Sequence, residues 1–152
     1  MSAVSDIYAA YLTEIASVLT DYSRIPNGLD ILGGGGLFLA KGYAVIPTDG
    51  INTERFVDCQ ASFVRNYTIT LVQQMTATEN NTTAMDDIYK DILEDALLVQ
   101  KQVEKSTILN NSSTGLGVSK FTDDSGLFFL SGEREKYIQL NMNFETEYFV
   151  AL

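Results

Sequence analysis

The final stretch of the chain carries an apolar residue at almost every second position from Tyr137 to Val150. Successive side chains of a β-strand point to opposite faces of the sheet, so this period of two predicts a long strand with one buried face. The apolar positions are Ile138, Leu140, Met142, Phe144, Tyr148 and Val150. The alternate positions are Gln139, Asn141, Asn143, Glu145 and Glu147. The chain is thereby committed to a sheet, and the second face of this strand is predicted to be a polar, acidic surface.

Two other segments have the three- and four-residue spacing of amphipathic helices, Val4 to Leu19 and Met85 to Val103. Thr83, followed three places later by Asp86, predicts the start of the second helix, which we expect to end before Ser106. The predicted apolar face of this helix is Met85, Ile88, Tyr89, Ile92, Leu93, Ala96, Leu97 and Val103. Its predicted outer side carries Asp87, Asp91, Glu94 and Asp95.

Further strands are indicated between the helices and after them. Pro47 to Gly50 reads Pro-Thr-Asp-Gly, a strong turn signal that predicts a hairpin leading into Ile51 to Phe63. Tyr67 to Met75 alternates as a second well-patterned strand. Two short strands, Val118 to Phe121 and Leu127 to Leu130, are predicted on either side of a turn at residues 123–126.

The order helix, strands, helix, strands predicts an α+β fold in a single domain over residues 1–152. We expect a mainly antiparallel sheet with the two amphipathic helices packed on one face and the long strand at the C-terminal end. No repeat or linker divides the sequence.

Charge and composition exclude several functions. The formal charge is −10, from 20 acids and 10 bases, and no run of Lys or Arg is present to neutralise successive phosphates, so direct nucleic-acid binding is not expected. The absence of histidine removes the commonest general base and the commonest zinc ligand. The sequence shows no signal peptide and no membrane span, so we expect a protein made in a reducing cytosol.

Three motifs suggest chemistry, and each has a plainer interpretation. The run Gly33 to Gly36 invites a phosphate-loop interpretation, but the Lys-Ser/Thr of such loops is missing, which favours a flexible loop or a close backbone approach. Asp87, Asp91 and Asp95 share one helix face, which alone cannot enclose a cation, so a solvated surface is favoured over a metal site. Asp123 to Gly126 resembles part of a calcium loop but lacks the closing glutamate, which favours a turn.

The order and spacing of these elements resemble the tail terminator family of long-tailed bacteriophages. The likeness covers nearly the whole chain and rests on architecture, because the family has no fixed signature residues. It is most evident in Arg65 to Val72, which reads Arg-Asn-Tyr-Thr-Ile-Thr-Leu-Val, and in Arg134 to Leu140, which reads Arg-Glu-Lys-Tyr-Ile-Gln-Leu. The run Gly33 to Gly36 has no counterpart in the family pattern.

The resemblance implies a non-enzymatic structural protein without cofactor or metal. Its subunits would form a ring, typically of six copies, that caps the tail tube, stops its growth and joins the tail to the head. The implied partners are further copies of the chain, the tail tube protein and head-completion or connector proteins, with no membrane. The implied location is the neck of the virion, assembled in the host cytoplasm.

Two sets of residues follow from this resemblance. DNA would pass through an acidic opening without specific binding, and the candidate channel or surface residues are Asp87, Asp91, Asp95, Glu145 and Glu147. A closed ring needs a patch that meets a different patch on the next subunit. The candidate interface residues are Gly33, Gly34, Gly35, Gly36, Phe38, Tyr43, Phe128 and Phe129.

Other functions remain open from the sequence. The chain is also compatible with another neck or head-tail connector component, since fold does not fix role. A cellular adaptor would use the acidic helix Met85 to Val103 to meet a basic partner. A histidine-free enzyme would use paired carboxylates such as Asp123 and Asp124, although adjacent residues on a turn rarely converge on one substrate.

Overall fold

The structure is a computed structural model. It describes residues 3–25, 41–56, 60–75, 82–107, 109–110, 118–131 and 136–151. Two helices and a six-stranded, mostly antiparallel sheet confirm the α+β fold. The elements in chain order are α1 Ala3–Val18, β1 Ser23–Arg24, β2 Lys41–Phe56, β3 Gln60–Met75, α2 Thr82–Lys105, β4 Val118–Asp124, β5 Phe128–Ser131 and β6 Lys136–Ala151.

The sheet is built on three strands of 16 residues each, β2, β3 and β6. The strand order is β1-β2-β3-β6-β4, and β5 also pairs with β6. β3 pairs with β6 without a register shift, from Gln60 opposite Ala151 to Met75 opposite Lys136. β4 and β5 lie one after the other along the outer edge of β6. The predicted C-terminal strand is therefore confirmed, and it lies inside the sheet.

Both helices pack on the same face of the sheet. Glu14 of α1 accepts a hydrogen bond from Gln102 of α2, while Tyr22, just after α1, bonds to Asp95, so the two helices run antiparallel. The core residues from the helices are Ile7, Ala10, Tyr11, Ile15, Ile92, Ala96, Val99 and Val103, and Leu19, just after α1, joins them. Those from the strands are Tyr43, Val45, Tyr67, Ile69, Leu71, Ile138, Leu140, Met142, Phe144 and Tyr148.

The predicted turn at Pro47 to Gly50 is wrong. β2 continues through it and pairs with β3, with Pro47 opposite Tyr67 and Gly50 opposite Arg65, so β2 has one extra residue there. This is a β-bulge, which accommodates residues that fit a regular ladder poorly. Arg65 and Thr48 secure it, because the Arg65 guanidinium donates to the Thr48 carbonyl and the Thr48 hydroxyl donates to the Asn66 carbonyl. The connection between β2 and β3 lies at residues 57–59, outside the described residues.

The predicted turn between the two short strands is confirmed. Gly126 has a φ of 71°, in the left-handed region that favours glycine. Its amide donates to the Asp124 carboxylate at 2.8 Å, and the amide of Ser125 donates to the Asn141 carbonyl at 2.9 Å. The Ser125 bond holds the turn against β6, and the Asp124 carboxylate accepts from the backbone of the turn itself.

The second helix begins at Thr82, so Thr83 lies inside the helix and not at its N-cap. Its end at Lys105 is as predicted. Its apolar face is only partly as predicted, because Leu93 and Leu97 are 51% and 47% exposed while Val99, which the prediction omitted, is fully buried. The buried face of the helix is therefore narrower than the predicted one and excludes Leu93 and Leu97.

Candidate functional site

The face of the sheet opposite α1 and α2, here called the helix-free face, carries a ladder of polar side chains. The Thr68 hydroxyl donates to the Asn143 side chain and the Thr70 hydroxyl to the Asn141 side chain, both at 2.9 Å. The Gln139 side-chain amide also donates to the side-chain oxygen of Asn141 at 2.9 Å. Pairs of this kind, opposite one another on neighbouring strands, stabilise a sheet and fix its side chains.

One end of this face is closed to solvent. Thr70 is 3% exposed and Gln139 is 7% exposed, together with their neighbours Ala44 and Val72 at 2% and 6%. The sequence predicted a polar surface along the whole of β6, and the burial of Gln139 shows that this prediction is wrong at this end of the strand. The Gln139 amide nitrogen donates to Asn141, but the Gln139 side-chain oxygen has no hydrogen-bond partner among the described residues.

The other end of the helix-free face is exposed and acidic. Glu147 is exposed and lies opposite Val118, which is 54% exposed. Glu145 is half-buried, and its carboxylate lies 3.6 Å from the Lys120 ammonium group. Asp123 is exposed on the same side and accepts a hydrogen bond from Asn143 at 2.7 Å. These residues, Val118, Lys120, Asp123, Glu145 and Glu147, form what is here called the acidic end.

The acids predicted on α2 do not form one surface. Asp87 is exposed. The Asp91 carboxylate lies 2.7 Å from the Lys41 ammonium group, and Asp95 accepts a hydrogen bond from the Tyr22 hydroxyl at 2.7 Å. Gln73, 4% exposed, donates to the Tyr22 oxygen at 2.7 Å. Asp91 and Asp95 therefore join α2 to β2, β3 and the segment after α1.

The pKa values of Asp91 and Asp95 are shifted in opposite directions. The hydrogen bond from Lys41 holds the pKa of Asp91 below its ordinary value, and the same bond raises the pKa of Lys41. Burial raises the pKa of Asp95, and the nearby charge of Asp91 adds to that effect. Burial also raises the pKa of the Tyr22 hydroxyl. Tyr22 is therefore the donor to Asp95, since a neutral phenol carries the proton.

A buried line of hydroxyl groups beside the core was not predicted. Thr146, fully buried, interrupts the apolar pattern of β6. Its hydroxyl lies 2.8 Å from that of Tyr11 and 2.7 Å from that of Ser119, and Ser119 donates to the Leu109 carbonyl. Since each hydroxyl has one proton, Tyr11 donates to Thr146, and Thr146 donates to Ser119. A polar residue at an apolar position of the strand pattern was the only signal in the sequence.

The predicted interface residues fall in three places. Tyr43 is 5% exposed and belongs to the core, so it offers no anchor to a neighbouring subunit. Phe129 is 57% exposed at the sheet edge, with its ring 6.4 Å from that of Tyr89 in α2. Phe128 is half-buried on the helix-free face, opposite Gln139. The remaining candidates, Gly33, Gly34, Gly35, Gly36 and Phe38, lie outside the described residues.

Across the parts of the chain that the structure describes, no three acidic or cysteine side chains converge in a group that could hold a metal ion. Neither α1 nor α2, the helices of those parts, contains an apolar stretch able to span a bilayer. Comparison of the chain with models of known protein families and with curated proteins finds no match.

Proposed function

We propose that this protein is a structural subunit of a bacteriophage neck, a tail terminator that forms a ring on the tail tube, stops its growth and joins the tail to the head. The proposal starts from the resemblance in architecture. The observation that carries it further is the acidic end of the helix-free face, where Glu145, Glu147 and Asp123 are accompanied by one base, Lys120.

An acidic wall suits a passage for DNA. A duplex carries one negative charge for about every 1.7 Å of its axis, so a wall of like charge repels it and offers no site where it would be held. The chain as a whole carries a charge of −10, so a ring of several copies multiplies this effect. The acidic end would then line the channel, and the helices would face away from it.

The terminator role is tested in the virus that encodes the chain. Deleting the gene should give tail tubes far beyond the normal length, unjoined to heads, in electron micrographs of lysates. Expression of the protein from a plasmid should restore normal length. Tails of normal length without the protein would refute the terminator role, and normal but unjoined tails would indicate another neck component.

The channel assignment needs a separate experiment. We expect Glu145→Lys combined with Glu147→Lys to leave tail length unchanged and to slow DNA release from the virion. Loss of the Glu145–Lys120 pair should not unfold the protein, because an exposed ion pair contributes at most about 1 kcal/mol. Asp87→Lys, a change at an exposed acid on α2, is the matched control. Equal effects of the two changes would refute the channel assignment and leave the terminator role intact.

A further inference from the structure

Among the strands that the structure describes, β4 lies at one edge of the sheet, and side chains cap its outer side. The Phe121 amide donates to the Glu104 carboxylate of α2 at 3.3 Å, and the Ser119 amide donates to the Asn110 side-chain oxygen at 2.8 Å. Residues two apart in a strand direct their amides to the same side, here away from β6. Both of these outward amides of β4 are therefore already bonded within the chain.

The Asn110 side chain is held in place by the end of α2. Its amide nitrogen donates to the carbonyl groups of Val103, Glu104 and Ser106, at 2.7, 3.1 and 3.1 Å. Carbonyl groups at the end of a helix have no partner within it, so these bonds satisfy groups that need one. The same bonds direct the Asn110 oxygen to the Ser119 amide. Asn110 therefore joins the end of α2 to the edge of β4.

Glu104 is not at a position that favours an acid. It is exposed and lies in the last turn of α2. The carbonyl groups at the end of a helix give it a partial negative charge, which favours a basic residue there and disfavours a carboxylate. The helix itself therefore gains nothing from Glu104, and the hydrogen bond from the Phe121 amide is the contact that accounts for an acid at this place.

An uncapped β4 edge would match the same edge of a second copy. The outward N–H and C=O groups of an edge strand are a template for pairing with another strand. An edge strand that meets its own copy across a two-fold axis runs antiparallel to it, so the outward groups of the two strands face each other. An irregularity between Phe121 and Asp123 ends the regular ladder, so the stretch able to pair is residues 118–121.

The opposite edge of the sheet is a poorer partner for β4. The Tyr43 carbonyl of β2 accepts from the Ile25 amide at 2.7 Å, so the backbone groups of Tyr43 face away from β3. The register of β2 is regular from Lys41 to Pro47, so Pro47 faces the same way as Tyr43. Proline has no N–H to donate, which removes one bond from any strand pairing there.

We infer that the β4 edge is a strand-pairing site for β4 of a second copy of the chain, and that Glu104 and Asn110 hold it closed. When the two side chains are removed, the amides of Ser119 and Phe121 donate to carbonyl groups of the second copy. The contacts of α2 with β4 are thus autoinhibitory, since they prevent the sheet from extending between copies. This inference does not rest on the proposed function.

The test uses the full-length protein and four variants. Glu104→Ala removes the cap of the Phe121 amide, and Glu104→Ala combined with Asn110→Ala removes both caps. Glu104→Gln loses the same charge but keeps a side-chain oxygen that accepts from the Phe121 amide. Glu94→Ala, a change at an exposed acid earlier in α2, is the matched control for the loss of a charge. Far-UV circular dichroism would establish that each variant is folded.

Amide hydrogen exchange followed by NMR measures the cap directly. The Phe121 amide should exchange about tenfold faster in Glu104→Ala than in wild type, because its hydrogen bond to a charged acceptor is lost. In Glu94→Ala the rate should equal that of wild type, and in Glu104→Gln it should stay closer to wild type than to Glu104→Ala.

Strand pairing is measured by sedimentation velocity and by binding of a labelled peptide with the sequence of β4, residues 118–124. The double variant should form larger species than wild type at the same concentration, and it should bind the peptide, whereas wild type should not. The same peptide methylated at its Phe121 nitrogen lacks one donor and should not bind.

Three results would overturn the inference. They are an unchanged exchange rate of the Phe121 amide in Glu104→Ala, equal effects of Glu104→Ala and Glu104→Gln, and a folded double variant that keeps the wild-type size and does not bind the peptide. If the double variant does not fold, Glu104→Ala alone is tested with the peptide, since Glu104 is exposed and its loss should not unfold the chain. None of these measurements involves tails, so the proposed function and the β4 site can fail separately.

Discussion

Replacing Thr146 by valine should destabilise the protein by about 1–3 kcal/mol, because it removes the middle member of the buried line of hydroxyls. Valine has nearly the shape of threonine, so little packing is lost. The Tyr11 hydroxyl, which donates to Thr146 at 2.8 Å, would be left in the core without an acceptor. Burial already raises the pKa of Tyr11, so ionisation does not relieve that cost.

Tyr11→Phe should cost less, about 0.5–1.5 kcal/mol, since Thr146 keeps its bond to Ser119. The double variant should also cost less than the two single changes together, by about 1 kcal/mol, because no tyrosine hydroxyl is then left unpaired. Ser119 still donates to the Leu109 carbonyl in every variant.

The assay is equilibrium unfolding in urea followed by far-UV circular dichroism, which suits a chain with eight tyrosines and no tryptophan. Each variant should shift the midpoint without changing the slope. A Thr146→Val protein within about 0.5 kcal/mol of wild type, or a double variant whose cost equals the sum, would refute the proposed direction of the hydrogen bonds.

Further predictions concern Asp91, Asp95 and Tyr67. At pH 7 Asp91→Asn should lower the free energy of unfolding, because it removes the charge that binds Lys41 at 2.7 Å. Asp95→Asn should be neutral or stabilising, because the amide oxygen of the new side chain still accepts from Tyr22 and no charge is then desolvated. Folding lowers the pKa of Asp91, so the stability that Asp91 contributes is fully present above its pKa in the unfolded chain and is lost as the pH falls through its pKa in the folded protein. In urea titrations, the difference in unfolding free energy between wild type and Asp91→Asn should therefore shrink towards zero below about pH 4. A difference that does not change with pH would contradict the charge argument. The Tyr67 hydroxyl is buried and has no hydrogen-bond partner among the described residues, so Tyr67→Phe should leave the thermal midpoint unchanged or raise it. A fall equivalent to more than about 1 kcal/mol would show that the hydroxyl is bonded in solution.

The length of strand β6 could be predicted from the sequence because apolar and polar residues alternate along it, with Thr146 as the exception. Ile138, Leu140, Met142 and Phe144 are each at most 1% exposed, as the alternation requires. Pro47 to Gly50 failed as a turn because a local preference for turning was outweighed by the pairing of β2 with β3 on both sides of the motif. A turn motif covers only four residues, whereas the register of a long hairpin depends on the pairing of about a dozen residues in each strand.

The candidate site could be predicted only in part, for a similar reason. Glu145 and Glu147 fall on the helix-free face because strand alternation fixes the side of the sheet. Asp91 and Asp95 share a helix spacing with Asp87, but spacing does not show that Lys41 and Tyr22 come from distant parts of the chain to meet them. Likewise, apolar periodicity gives the direction of the buried face of a helix but not its width, so Leu93 and Leu97 were placed inside.

The helix-free face is itself divided into two parts. Thr70 and Gln139 are closed to solvent at one end, whereas Glu145 and Glu147 lie at the acidic end. If the acidic end lines a channel, charge reversal at Glu145 and Glu147 should affect DNA passage in assembled tails, whereas charge reversal at Asp87 on α2 should not. The opposite pattern would mean that the channel lies on the helical side of the sheet.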